Sequence, residues 1–247
     1  MRSIDLGCDL GEGAGTDAAL LPLISSANIA CGAHAGDPET MRATVALALA
    51  HSVRIGAHPG YRDRAGFGRR PLDLPADELA ADLRAQIDAL RSVAAAAGAR
   101  VRHVKAHGAL YNQGERDDRV ATLIARAVAA VDPELAVVAT PGSAMARAAA
   151  VARLHLIREG FIDRAYEPDG TLRSRALPGA LLLDPERAAA QALGFVRDGG
   201  VRATDGSFLP LAVDTLCVHG DSPGAVEIVH AVRRALADAA IAVRAPT

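Results

Sequence analysis

The sequence predicts an α/β fold, a seven-stranded parallel β/α barrel in one domain over residues 1–247, on three observations. Seven short apolar runs alternate with segments of helical period. Six of the seven end in ionisable residues, and a parallel barrel gathers the carboxyl ends of its strands around one pocket. Half of the residues are hydrophobic yet only 3% are aromatic, with no Trp. A core of Ala, Leu, Val and Ile suits a parallel sheet covered by Ala-rich helices.

The runs follow one another regularly. IDLGCDLGEG ends at Asp9 and Glu12, SANIACGAH at His34, RIGAHPG at His58 and VRHVKAHGALY at Lys105 and His107. LAVVATPG ends at Pro141, GFIDRAY at Asp163 and Arg164, and LCVHGD at His219 and Asp221. Between them, Asp37-Pro38 opens a helix with Asp37 as N-cap, and Met41, Thr44, Val45, Ala48 and Leu49 share one face. Pro75 opens a second helix carrying Leu79, Leu83, Ile87 and Leu90, which Gly98 ends. A third runs from Asp117 to Val131, and Asp184-Pro185 and Ser222-Pro223 repeat the cap-then-proline start. Residues 164–184 hold turns without helical period, and 201–213 predict a hairpin around Asp205-Gly206. The alternative architecture, an open doubly wound sheet, lacks the glycine fingerprint after its first strand.

Several function classes are disfavoured at once. A net charge of -2 gives no electrostatic case for nucleic acid or an anionic membrane. No apolar stretch approaches a membrane span, and the amino-terminal residues enter a strand directly, so a cytoplasmic location is expected. Cys8, Cys31 and Cys217 lack CxxC spacing and fall inside apolar runs, which predicts buried, reduced thiols acting as small hydrophobes. A P-loop is excluded because no GxxxxGK[ST] occurs.

His34, His58, His107 and His219 each stand near the end of a different run, beside Asp9, Glu12, Asp163 and Asp221. Four such histidines at equivalent topological positions point to a shared polar pocket. His51 and His230 sit in helices, His155 precedes a strand and His103 lies within one, so these stay outside the candidate set. The cluster could bind a divalent metal, with Asp9, His34 and His58 as candidate ligands, or act directly as general acid and base with Lys105 stabilising negative charge. In the loop GYRDRAGFGRR, Arg69 and Arg70 are candidates to hold a carboxylate or phosphate.

These strings together resemble the LamB/YcsF family, the A components of 5-oxoprolinase. The resemblance rests on CDLGEG, SANIACGAHAGDP, IGAHPGYRDRAGFGRR, VKAHGALYN, FIDRAY with DGTLRSR, and CVHGDSPGA, in order from about Ile4 to Leu236. Gly7, Ala33 and Ala106 depart from the family pattern without removing an ionisable group. The resemblance implies a barrel of the glycoside hydrolase/deacetylase type. It also implies ATP-dependent opening of 5-oxoproline to L-glutamate, with Mg2+ expected alongside ATP, in a complex with subunits B and C. The ATP has a chemical reason: a lactam is resonance-stabilised, and phosphorylating its oxygen makes the carbon electrophilic. Carried over, Asp9, Glu12, His34, His58, Lys105, His107, Asp163, His219 and Asp221 line a catalytic site. Asp9 or Glu12 would serve as base, His34 and His58 would orient water or metal, and Lys105 would meet the oxyanion. Arg69 or Arg164 would hold the substrate carboxylate, with Arg70 a further candidate. Two alternatives stay open: a metal-dependent deacetylase or amidohydrolase acting without ATP, and a substrate-binding component with no activity of its own.

Overall fold

In a computed structural model that describes residues 2–246, seven parallel strands close into a barrel. They are β1 (Ser3–Leu10), β2 (Ser26–Ala30), β3 (Arg54–His58), β4 (Val101–Val104), β5 (Ala136–Ala139), β6 (Leu156–Phe161) and β9 (Thr215–His219). Each pairs with the next in chain order, and β9 pairs with both β6 and β1, which closes the sheet. Closure leaves the barrel strands without a free edge. A short β10 (Ala242–Val243) adds alongside the start of β1. The hairpin expected around Asp205-Gly206 forms between β7 (Gly200–Arg202) and β8 (Phe208–Pro210).

The helices cover the barrel with their apolar faces. A single turn, α1 (Asp17–Leu20), buries Leu20 between β1 and β2. In α2 (Pro38–Ala50), Met41, Thr44, Val45 and Ala48 are buried, and the Asp37 carboxylate accepts from the Thr40 N–H as an N-cap. Pro75 is the N-cap of α3 (Ala76–Ala96) rather than its first helical residue. Before α5 (Asp118–Val131) comes α4 (Gly108–Arg116), directly after His107. The chain then adds α6 (Ala144–Val151), α7 (Pro185–Leu193) and α8 (Ala225–Asp238). The start expected at Ser222-Pro223 is displaced: α8 begins at Ala225 with Gly224 as N-cap, because the Ser222 hydroxyl donates instead to Asp163.

Alternation along the strands separates two interiors. Ile4, Leu6, Cys8 and Leu10 of β1 join the main apolar cluster shared with the helices. Asp5 and Asp9 face the inside of the barrel, which is polar. At its amino end, Asp5 accepts from the hydroxyls of Ser25, Ser26 and Thr215, each at 2.6 Å. One layer higher, Asn28 Oδ1 lies 2.9 Å from His103 Nε2. Gly56 makes room for that ring, since a Cβ there would fall 2.0 Å from the same nitrogen. Among the described residues no helix is long and apolar enough to cross a membrane.

Candidate active site

Lys105, just beyond β4, reaches across the upper barrel. Its Nζ donates to Asp9 Oδ1 at 3.0 Å and to Cys217 Sγ at 2.9 Å, and lies 2.8 Å from Glu159 Oε1. All four residues are buried. Burial alone would depress the lysine, but Asp9, Cys217 and Glu159 together raise it well above its ordinary value, so it is charged. Burial likewise raises Asp9, yet Lys105, His58 and His219 bring its carboxyl far below the usual range. Glu159 stays raised by burial despite Lys105. Cys217 is buried as expected but is no simple hydrophobe, because its sulfur accepts a lysine hydrogen bond.

Beside Asp9 stand three histidines and Glu12. Glu12 Oε1 is 3.0 Å from His34 Nε2, 3.1 Å from His107 Nδ1 and 3.8 Å from His58 Nε2. Burial pushes His58 down to about 3 and also lowers His34. Burial would raise Glu12, but its close contacts with His107, His34 and His58 hold it well below the usual carboxylate range. One ligand atom from each of Glu12, His34, His58 and His107 lies within 4.8 Å of the others, a cluster that could hold a metal ion. The cluster includes His34 and His58 of the expected trio, and the third, Asp9, lies 3.5 Å from His58 Nε2. Asp9 also bonds Lys105 and Asn28 Nδ2, the latter at 2.8 Å, and the cluster adds Glu12 and His107.

Beyond the neighbouring strand ends of β6 and β9, Asp163 is fully buried and accepts from the His219 N–H, from His219 Nδ1 at 2.9 Å and from Ser222 Oγ at 3.0 Å. Burial raises Asp163, and His219 with Ser222 more than offset it, leaving the carboxyl ionised. With Nδ1 on the carboxylate, His219 turns Nε2 into the cavity, as in any base oriented by a neighbouring acid.

The cavity enclosed by these groups measures about 390 Å³, within the usual range for small-molecule sites. Asp9, His58, Lys105, His107, Arg69, Arg164 and His219 all line it. Residues 164–184, expected as an irregular turn segment, form a strap over the mouth. An antiparallel bridge from Arg164 to Leu181 ties it down, and the Phe161 N–H donates to Tyr166 Oη at 2.8 Å. Arg164 is buried, its Nη2 bonded to the Arg173 carbonyl at 2.7 Å, and burial lowers its pKa to about 10. Arg69 pairs with Asp221 at 2.6 Å, so Asp221 orients a cavity arginine rather than facing the floor. Arg70 is placed elsewhere: its guanidinium binds Asp63 and lies outside the cavity lining.

Sequence reasoning missed several lining residues. Tyr111, Asn112 and Arg116 come from α4, whose start was hidden inside the run read as VRHVKAHGALY. Ser174 and Arg175 come from the strap, within the DGTLRSR string.

The fold and these contacts define a β/α-barrel protein whose titratable groups converge at the carboxyl ends of its strands, over a small cavity with an arginine-bearing wall. The LamB/YcsF family matches residues 4–247, and the chain belongs to it. It is similar to a protein of Symbiobacterium thermophilum named as the A component of 5-oxoprolinase, with 51% identity over 100% of this chain and 96% of that one. A protein of the same name from Rhodopseudomonas palustris (strain BisB18) is 53% identical over 98% of each chain. Among solved structures, a lactam utilization protein from Thermus thermophilus superposes with a TM-score of 0.94 at 45% identity, covering 99% of this chain and 100% of that one.

Proposed function

We propose that this chain is the A component of an ATP-dependent 5-oxoprolinase, opening the lactam of 5-oxo-L-proline to L-glutamate together with subunits B and C. The observation that carries the reading is the cavity itself, in a chain half identical to relatives of that name. It joins cationic groups suited to a small carboxylate with an oriented histidine base. Arg164 and Arg69 hold the substrate carboxylate, with Arg175 at the rim. His219 Nε2 takes the proton from the attacking water, and Asp163 stabilises the resulting imidazolium. This replaces Asp9 and Glu12 as the base, since each of those carboxylates is already bound by two or more partners. Lys105, charged on the cavity floor, faces the oxygen on which negative charge develops.

The role of ATP follows from the chemistry. Transfer of the γ-phosphoryl group to the lactam oxygen releases ADP and leaves the ring carbon electrophilic. One water adds to that carbon, the ring C–N bond breaks and the nitrogen leaves protonated. A second water releases phosphate from the resulting acyl phosphate, giving glutamate. With no P-loop in this sequence, the nucleotide and its Mg2+ are held by or with the partner subunits.

The test is glutamate release from 5-oxoproline by the chain alone and with subunits B and C, with and without ATP. Glutamate only with both ATP and partners is the expected result. Glutamate from the chain alone without ATP overturns the reading in favour of a self-sufficient hydrolase. No glutamate under any condition, with all subunits folded, removes 5-oxoproline as substrate.

A further inference from the structure

Two histidines of the rim cluster have their tautomers fixed by backbone carbonyls. His58 Nδ1 lies 2.7 Å from the Lys105 carbonyl, and His107 Nε2 lies 2.8 Å from the Phe67 carbonyl. A carbonyl oxygen only accepts, so each of those nitrogens carries the proton. In the neutral rings the other nitrogens, His58 Nε2 and His107 Nδ1, are then bare lone pairs. They face each other at 3.1 Å, with the Glu12 carboxylate oxygen 3.1 Å from one and 3.8 Å from the other. Three acceptors crowd together, and neither neutral ring has a proton to offer the others. Such a constellation is repulsive unless a cation sits among them.

We infer that Glu12, His34, His58 and His107 form a binding site for one first-row divalent transition-metal ion, zinc being the first to test. Four ligands at about 2.0–2.2 Å from a tetrahedral ion stand roughly 3.4 Å from one another. The separations between Glu12 Oε1 and the three ring nitrogens, 3.0, 3.1 and 3.8 Å, bracket that value. Three imidazoles and one carboxylate select such metals over Ca2+ or Mg2+, which prefer all-oxygen surroundings. Carbonyls on the far ring nitrogens are the outer contacts that hold metal-binding histidines in orientation.

The backbone is shaped to provide one of those contacts. Phe67 adopts a left-handed conformation at φ 53°, unusual for an aromatic residue, and its carbonyl is the one that meets His107. Gly68 follows at φ 62°, where a Cβ would fall 2.8 Å from His34 and 2.9 Å from His107. Access exists from two sides. His58 and His107 border the main cavity, while Glu12 and His34 border a second one of about 290 Å³. His34 is the least supported ligand, because its Nδ1 is buried without a hydrogen-bond partner among the described residues. All four ligands belong to this chain, so the site stands whichever substrate the cavity takes.

The experiment is metal titration of the purified, chelator-treated chain, read by metal content after dialysis, by thermal shift and by the visible absorption of the Co2+ form. One equivalent per chain is expected, with a Tm that rises with free metal. His107→Ala should lower affinity at least tenfold and alter the cobalt spectrum, His34→Ala should cost less than His107→Ala, and His230→Ala, on α8, should match the unaltered chain. Should His107→Ala fail to fold, Glu12→Gln gives the same readout with side-chain volume kept. No bound zinc, cobalt or manganese and no thermal shift would mean that a shared proton bridges the two rings, and the inference falls. Full affinity in both His107→Ala and Glu12→Gln would place the ion elsewhere and overturn it equally.

Discussion

Asp163 and His219 form a dyad in which the acid is fully buried while the imidazole faces the cavity. The two come from different strand ends, β6 and β9, which neighbour one another at barrel closure. Asp163 takes a second hydrogen from the His219 backbone N–H and a third from Ser222, so its orientation is fixed three times over. His219→Ala should lower kcat/KM for lactam opening by about 10²- to 10⁴-fold, the usual contribution of a general base. Asp163→Asn should fall in the same range with little change in KM, because the amide can favour the wrong imidazole tautomer. Steady-state kinetics with the complete enzyme, on variants with an unchanged circular dichroism spectrum, decide it. Activity within threefold of the parent in His219→Ala would remove this residue as the base.

Lys105 joins fold to site. Its charge compensates Asp9 and faces Glu159 in the polar barrel interior. Removing one partner of a buried ion pair leaves the other charge uncompensated, at about 3–5 kcal/mol. Lys105→Met should therefore lower the urea midpoint by that equivalent, and Lys105→Met with Asp9→Asn should recover part of the loss. A single variant within 1 kcal/mol of the parent, by the same urea measurement, would contradict the ion network.

How much of this was legible before the structure is best seen in the strands. Runs ending at Asp9, His58, His107, Asp163 and His219 announced the rim, because carboxyl ends of parallel strands converge whatever the loops do. The hairpin at Asp205-Gly206 was readable from its turn residues. Glu159 and Cys217 were not, since an apolar-run reading treats strand interiors as hydrophobic and this barrel is polar inside. The pairing of Arg69 with Asp221 spans 152 residues of chain, and Arg70 with its identical chemistry turns the other way to Asp63. Local spacing carries no information on which of two adjacent arginines faces a cavity.

That divergence gives a paired test. Arg164, buried and held by the Arg173 carbonyl, presents a fixed cation to the cavity, whereas Arg70 serves the loop. A charge-assisted hydrogen bond contributes about 1.5–3 kcal/mol, so losing it should raise KM for 5-oxoproline by roughly ten- to hundredfold. Arg164→Gln is expected to do so, and Arg70→Gln to leave KM within about twofold. Equal effects from both, measured in initial-rate assays, would mean that the cavity arginine does not touch the carboxylate.

Glu115, on α4 beneath Tyr111, supplies a stability test that needs no substrate. Its carboxylate accepts from the Thr140 N–H at 3.4 Å, and burial raises its pKa from 4.5 to about 7 against the lowering effect of Thr140. Because the folded value lies above the unfolded one, the native protein keeps a proton that the unfolded chain has already released between those pH values. Stability from this group is therefore fully present below pH 4.5 and is lost as pH rises to about 7. Glu115→Gln abolishes the titration while keeping an acceptor for Thr140. Asp5, also raised by burial, contributes with the same sign in both proteins and cancels in the comparison. The urea midpoint of Glu115→Gln relative to the parent should accordingly rise across that window and level off above it. A difference that stays flat, or rises only below pH 4.5, would place the Glu115 carboxyl in ordinary solvent contact.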